Sequence, residues 1–113
     1  MATLTQTEAV LTRNGAAFAS GNIEAILANY AADAVLVRPG RTYRGHDAIG
    51  DMFREVFANM AGLSSAITSV TVAEGLAVMT WTATGTDGRV LQGVDTFVIA
   101  DDRIVAQSYV GGL

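Results

Sequence analysis

Apolar residues in the first sixty or so positions recur at helical spacing, and beyond about position 64 they alternate with polar ones. Val10, Leu11, Ala17 and Phe18 form one helical stripe, which Thr7 is placed to cap and Gly21 to end. Asn22 can cap a second helix through Tyr30, with Ile23, Ile26, Leu27 and Tyr30 on one face. Residues 34–38 read as a short strand stopped by Pro39-Gly40, and residues 41–44 as a small partner strand. His46 or Asp47 opens a third helix with Ile49, Met52, Phe53, Val56, Phe57 and Met60 inward, and Gly62 stops it. Strands follow at roughly 66–73, 76–86, 89–100 and 103–110. Helices first and a meander after predict an α+β domain with helices packed on one face of an antiparallel sheet.

Asp87-Gly88 between alternating runs is the strongest hairpin signal in the chain. A two-residue turn there pairs Thr84 with Leu91, Thr82 with Gly93 and Thr80 with Asp95. Opposed residues share a face. Leu76, Val78, Thr80, Thr82, Thr84, Leu91, Gly93, Asp95, Phe97 and Ile99 are then expected to face the helices. Met79, Trp81, Val94, Thr96 and Val98 fall on the opposite face, apolar enough to predict a dimer interface. Asp95 on the core side needs a partner, water or a proton. The last turn leaves two registers open. Two residues pair Asp95 with Ser108; three, with Asp102 in the left-handed region, pair it with Gln107 and bring Tyr109 beside Gly93.

Charge and composition narrow the function. The net charge is −4, all seven basic residues are Arg, and only Arg38, Arg41 and Arg44 cluster. A nucleic-acid partner is therefore not expected. With no Cys and one His, neither a disulfide, a thiol nucleophile nor a His-rich metal site is expected. No apolar run approaches the about 20 residues of a membrane span, and the N-terminus lacks the pattern of a signal peptide. The expectation is a soluble, cytoplasmic domain with no metal.

The order helix, helix, strand, hairpin, helix and meander resembles the nuclear transport factor 2-like (NTF2-like) superfamily. Within it, the chain is most similar to SnoaL-like and ketosteroid isomerase-like proteins. The resemblance is carried by Ala-Ser-Gly-Asn-Ile through Tyr-Ala-Ala-Asp-Ala-Val at 19–35, Arg-Gly-His-Asp-Ala-Ile at 44–49 and Gly-Val-Asp-Thr-Phe at 93–97. It implies one domain over 1–113, a cone of curved antiparallel sheet on three N-terminal helices (a cystatin-like α+β barrel), a ligand cavity at the open end, and a homodimer. It also implies a place for each isomerase residue. Where the isomerase has a carboxylate base before a Pro, this chain has Arg38; where it has an oxyanion-holding Tyr, this chain has Asn14. The protonated aspartic acid is matched by Asp95, and a cavity tyrosine by Phe53. The base is missing, so steroid Δ-isomerisation by the family mechanism is not expected.

The functional reading is cofactor-free acid–base chemistry on a small, mostly apolar carbonyl, epoxide or carboxylate compound, of isomerase, cyclase, dehydratase or hydrolase type. Asp95 is the proton-transfer group and Arg38 the electrophilic anchor. Asn14, Phe18, Tyr30, Phe53, Phe57, Gln107 and Tyr109 bind the substrate. The alternative is a non-catalytic ligand-binding or dimerisation module in which Arg38 and Asp95 close as a structural ion pair.

Overall fold

The computed structural model describes residues 2–111. Helix α1 (Leu4–Ser20) starts with a capping box: the Thr3 side chain accepts the Gln6 N–H, and the Gln6 side chain accepts the Thr3 N–H. The cap is thus four residues upstream of Thr7. Thr7 is instead buried, donates its hydroxyl to the Thr3 carbonyl at 2.8 Å, and accepts the Gly75 N–H at 2.9 Å. That bond ties the first helix to a distant sheet turn. Helix α2 (Ile23–Leu27) is capped by the Asn22 side chain on the Ala25 N–H. It stops short of Tyr30, which opens strand β1 (Tyr30–Arg38).

Strand β2 (Arg41–Arg44) pairs back on β1, and helix α3 (Gly45–Asn59) follows directly, without a side-chain cap. The meander is β3 (Leu63–Ala73), β4 (Leu76–Gly85), β5 (Val90–Ala100) and β6 (Arg103–Gly111). The sheet runs β2-β1-β6-β5-β4-β3, curved and unclosed, and β1 lies parallel to β6. That parallel pair is the one departure from the antiparallel sheet expected. Val10, Ile26, Leu36, Ile49, Met52, Phe97 and Ile104 form the buried centre between helices and sheet. No helix among the described residues is long and apolar enough to cross a membrane.

The β4–β5 register differs from the expected one by a single residue. Gly85 donates its N–H to the Arg89 carbonyl at 2.8 Å, and Gly88, at φ +85°, donates to the Gly85 carbonyl. Three residues, not two, make the turn, with the glycine taking the left-handed position. Every β4 side chain therefore changes face. Met79 pairs with Asp95, Trp81 with Gly93 and Ala77 with Phe97. Met79 and Trp81 lie inside the fold, which removes them from the expected dimer interface. Leu76 and Val78 are outside, at 48% and 37% exposure, with Val94, Thr96 and Val98.

The β5–β6 pairing is neither of the two expected registers: Asp95 meets neither Ser108 nor Gln107, and Gly93 pairs with Gly111 rather than Tyr109. The loop is the two residues Asp101-Asp102, with Asp101 rather than Asp102 at positive φ (53°). An irregularity beyond Ile99 and Ile104 then shifts the pairing by one, so that Asp95 opposes Tyr109 and Phe97 opposes Gln107. Gln107 and Tyr109 consequently share the inner face with Asp95.

Candidate active site

A cavity of about 920 Å³ lies between the helices and the inner sheet face. Helix α1 supplies Asn14 and Phe18 to its wall, β1 supplies Tyr30, and α3 supplies Phe53 and Phe57. The strands contribute Met79, Trp81, Asp95, Gln107 and Tyr109. The aromatic side is a packed group: Phe18 stacks on Phe57 with centroids 5.0 Å apart and meets Phe53 edge-on at 6.4 Å. Ile67 and Val70 of β3 line the cavity yet are 56% and 50% exposed, so the cavity reaches solvent along the edge strand.

Asp95 is the acid on the sheet wall. Its Oδ1 accepts the Trp81 indole N–H at 3.0 Å and its Oδ2 accepts the Gln107 amide at 2.8 Å. The Gln107 carbonyl in turn accepts the buried Tyr30 hydroxyl. This chain orients the Gln107 amide so that its N–H₂ faces the carboxyl. A carboxylate has room for about four hydrogen bonds, so two acceptor positions remain for a molecule in the cavity.

Burial pushes the Asp95 carboxyl from 3.8 up to about 6, against the pull of its bonds from Trp81 and Gln107. Burial likewise holds the Tyr30 hydroxyl above the ordinary tyrosine range. The Asp95 charge adds to that shift and a hydrogen bond with Asn14 opposes it. Tyr109 is raised by burial, with Arg38 acting against it and Asp95 with it. An acid that titrates near neutral pH in an apolar cavity can both take and return a proton during turnover.

Tyr30 is held in place through its neighbour. Asn29 is buried and accepts the Arg13 Nε–H at 2.9 Å, while its own amide donates to Asn14 Oδ1 at 3.4 Å. Its carbonyl accepts the Ile104 N–H at 2.8 Å, and Arg13 also donates to the Asp102 carbonyl at 2.8 Å. One asparagine thus joins both N-terminal helices to the last hairpin and sets the strand that carries Tyr30.

Of the residues chosen from sequence, Asn14, Phe18, Tyr30, Phe53, Phe57, Asp95, Gln107 and Tyr109 all line this cavity. Arg38 does not. Its guanidinium lies over the Tyr109 ring, 5.3 Å from the centroid, and faces a second, smaller cavity. Among the described residues it forms no ion pair, with Asp95 or with any other acid. The Arg38–Asp95 dyad expected from sequence is not formed, because Tyr109, cross-strand neighbour of Asp95, carries the arginine on its ring.

Trp81, like Met79, lines the cavity although the sequence pattern placed it on the outer face. Its indole lies flat on β5, where a Cβ at Gly93 would come within 2.0 Å of the ring, and a Cβ at Gly111 within 2.9 Å. The signal was present as a large aromatic opposite a glycine, but it is readable only in the correct register.

Residues 12–107 match the SnoaL-like domain family, and the chain belongs to it. No curated protein matches the chain in sequence. An NTF2-like protein of unknown function from Mesorhizobium loti superposes with TM-score 0.81 at 21% identity, over 96% of this chain and 92% of that one. A candidate SnoaL-like isomerase from Agrobacterium tumefaciens gives 0.76 at 17%, over 94% and 97%. A candidate polyketide cyclase from Sinorhizobium meliloti gives 0.74 at 20%, over 88% and 92%. Likeness at these identities is likeness of fold.

Proposed function

We propose that this chain is a cytoplasmic, single-domain acid–base enzyme that binds a small, mainly apolar molecule in the 920 Å³ cavity and moves a proton on it through Asp95. The substrate class is a carbonyl, epoxide or carboxylate compound, and the reaction an isomerisation, cyclisation, dehydration or hydration without a cofactor. The observation that carries this reading is a part-buried carboxyl, pushed by burial up to about 6, on the wall of a large apolar space. The candidate cyclase and isomerase with this fold support the reaction class. Asn14, Tyr109 and Gln107 orient the ligand; Trp81 and Gln107 hold the ionised form of Asp95. Steroid Δ-isomerisation by the family's mechanism stays outside the proposal, since Arg38 stands where that mechanism has its base.

The test is turnover of a panel of small carbonyl, epoxide and carboxylate compounds. The wild type is expected to convert at least one, with kcat/KM rising as pH passes about 6. Asp95→Asn is expected to lose that activity by roughly 10²- to 10⁴-fold with its circular dichroism unchanged. Undiminished turnover in this variant overturns the assignment. Binding without turnover in the wild type moves the protein to the non-catalytic alternative.

The same proposal makes the protein a homodimer through the sheet face away from the helices. Val78, Val94, Thr96, Val98, Ser108 and Val110 make the centre of that face uncharged, with Arg44 at its β2 edge. At a net charge of −4, copies repel except across such a patch, so a second copy is the occupant that fits. Light scattering should give twice the chain mass for the wild type and the chain mass for Val98→Glu. A monomeric wild type removes the dimer from the proposal.

A further inference from the structure

The second cavity, of about 170 Å³, adjoins the first: Val56, Met60, Trp81 and Tyr109 line both. Its polar side chains are Arg38, Asn59, Tyr109 and Trp81, whose indole N–H is already given to Asp95. Among the described residues Arg38 is the one charged group in its lining, and it is half-buried. No acid pairs with Arg38 among the described residues, and its N–H groups make no hydrogen bond there. A cation–π contact, 5.3 Å from the guanidinium carbon to the Tyr109 ring centroid, holds the head group without using its N–H donors. Two carbonyls at the nearby end of α3 have partners of their own. The Val56 carbonyl accepts the Met60 N–H at 2.9 Å, and the Met60 carbonyl accepts the Leu63 N–H at 2.9 Å. A planar fork of donors, held at a ring and facing a small space, is suited to a carboxylate.

We propose that the second cavity is an anion subsite, where Arg38 takes the carboxylate of an amphipathic ligand whose apolar body occupies the main cavity. The proposal rests on the reading that the main cavity holds a small molecule, and it names the class: an apolar acid, not a neutral ketone or epoxide. The two polar ends of the site then have separate tasks. Arg38 sets which end of the ligand lies toward Tyr109, and Asp95 meets the ligand's body on the other side of Tyr109 and Trp81. At about pH 8, where Asp95 is ionised, the same arrangement repels a carboxylate from the main cavity and sends it to Arg38.

Trp81 is the chain's single tryptophan and lines both cavities, so its fluorescence reports occupancy of either. Octanoate and octan-1-ol, alike in chain and different in head group, are titrated at about pH 8 into the wild type, Arg38→Met and Arg38→Lys. Met keeps the length of the stem and removes the charge. Octanoate should bind the wild type, lose about tenfold in affinity in Arg38→Met, and recover most of it in Arg38→Lys. Octan-1-ol should bind all three alike. Equal weakening of both probes in Arg38→Met overturns the subsite and makes Arg38 a structural residue. An unchanged octanoate affinity in that variant also overturns it. Wild type that binds octan-1-ol but not octanoate rejects the anion subsite and keeps the small-molecule cavity; wild type that binds neither rejects the cavity reading and the subsite with it.

Discussion

Asp95 and Arg38 stand on either side of Tyr109, and they are treated in opposite ways. Asp95 is part-buried on the cavity wall, with a protein donor on each carboxyl oxygen. Arg38 is half-buried, rests on a ring, and has no protein acceptor among the described residues. A structural ion pair across the cavity would have neutralised both and held the Asp95 carboxyl below its ordinary range. Keeping them apart leaves one group whose charge is disfavoured by burial and another whose charge is available. The contrast shows that donors around an acid do not by themselves make it strong. Trp81 and Gln107 both favour the ionised form, yet desolvation outweighs them and leaves Asp95 near 6.

The largest expected effect breaks the Asp95 side of this contrast. A native pKa raised from 3.8 to about 6 means that the folded state binds the proton more tightly than the unfolded one. The associated stability is fully present below about pH 4 and is lost as pH rises through about 6. Asp95→Asn removes the buried charge. Its amide can be accommodated by rotation of the Gln107 amide, which then accepts from Asn and donates to the Tyr30 hydroxyl. Urea unfolding at about pH 8 should show this variant more stable by up to about 3 kcal/mol, with the gain vanishing by about pH 4. A loss of stability at about pH 8 would mean that the ionised carboxylate is a net stabilising group.

Gly93→Ala comes next. The added Cβ would lie 2.0 Å from the Trp81 ring, so the indole must leave its seat. The cost should be about 1–3 kcal/mol, with a red shift of tryptophan emission and a higher Asp95 pKa as the Trp81 bond is lost. Unchanged emission would show that the indole does not rest on Gly93. The smallest effect belongs to Arg38→Met, which should change thermal stability by no more than about 1 kcal/mol. A larger loss would place Arg38 among the groups that hold the fold together.

Much of the fold was legible because periodicity carried it. The three helices, the hairpin near Pro39-Gly40 and the four meander strands follow from apolar spacing and turn residues, and their ends move by a few residues. What the sequence could not supply was register. Asp87-Gly88 fits a two-residue turn and equally the second half of a three-residue one, and hydrogen bonds from Gly85 and Gly88 decide between them. That single residue moved Met79 and Trp81 from the outer face to the cavity. Most of the site survived the slip because Asp95, Gln107 and Tyr109 sit on β5 and β6, while Asn14, Phe18, Tyr30, Phe53 and Phe57 come from the N-terminal elements. Arg38 lies at the expected end of β1, but its direction depends on the ring of Tyr109, a long-range contact with no trace in local pattern.

The proposed chemistry depends on one proton. Titration of the Asp95 carboxyl carbon by NMR, with the Trp81 indole N–H followed in the same samples, measures it directly. Both signals should move together with a midpoint near 6, since the indole donates to that carboxyl. A midpoint near the ordinary aspartate value of 3.8 would show a carboxylate that is simply held ionised by its donors. Asp95 would then be a structural anion at neutral pH, and the proposed proton transfer would lose its agent.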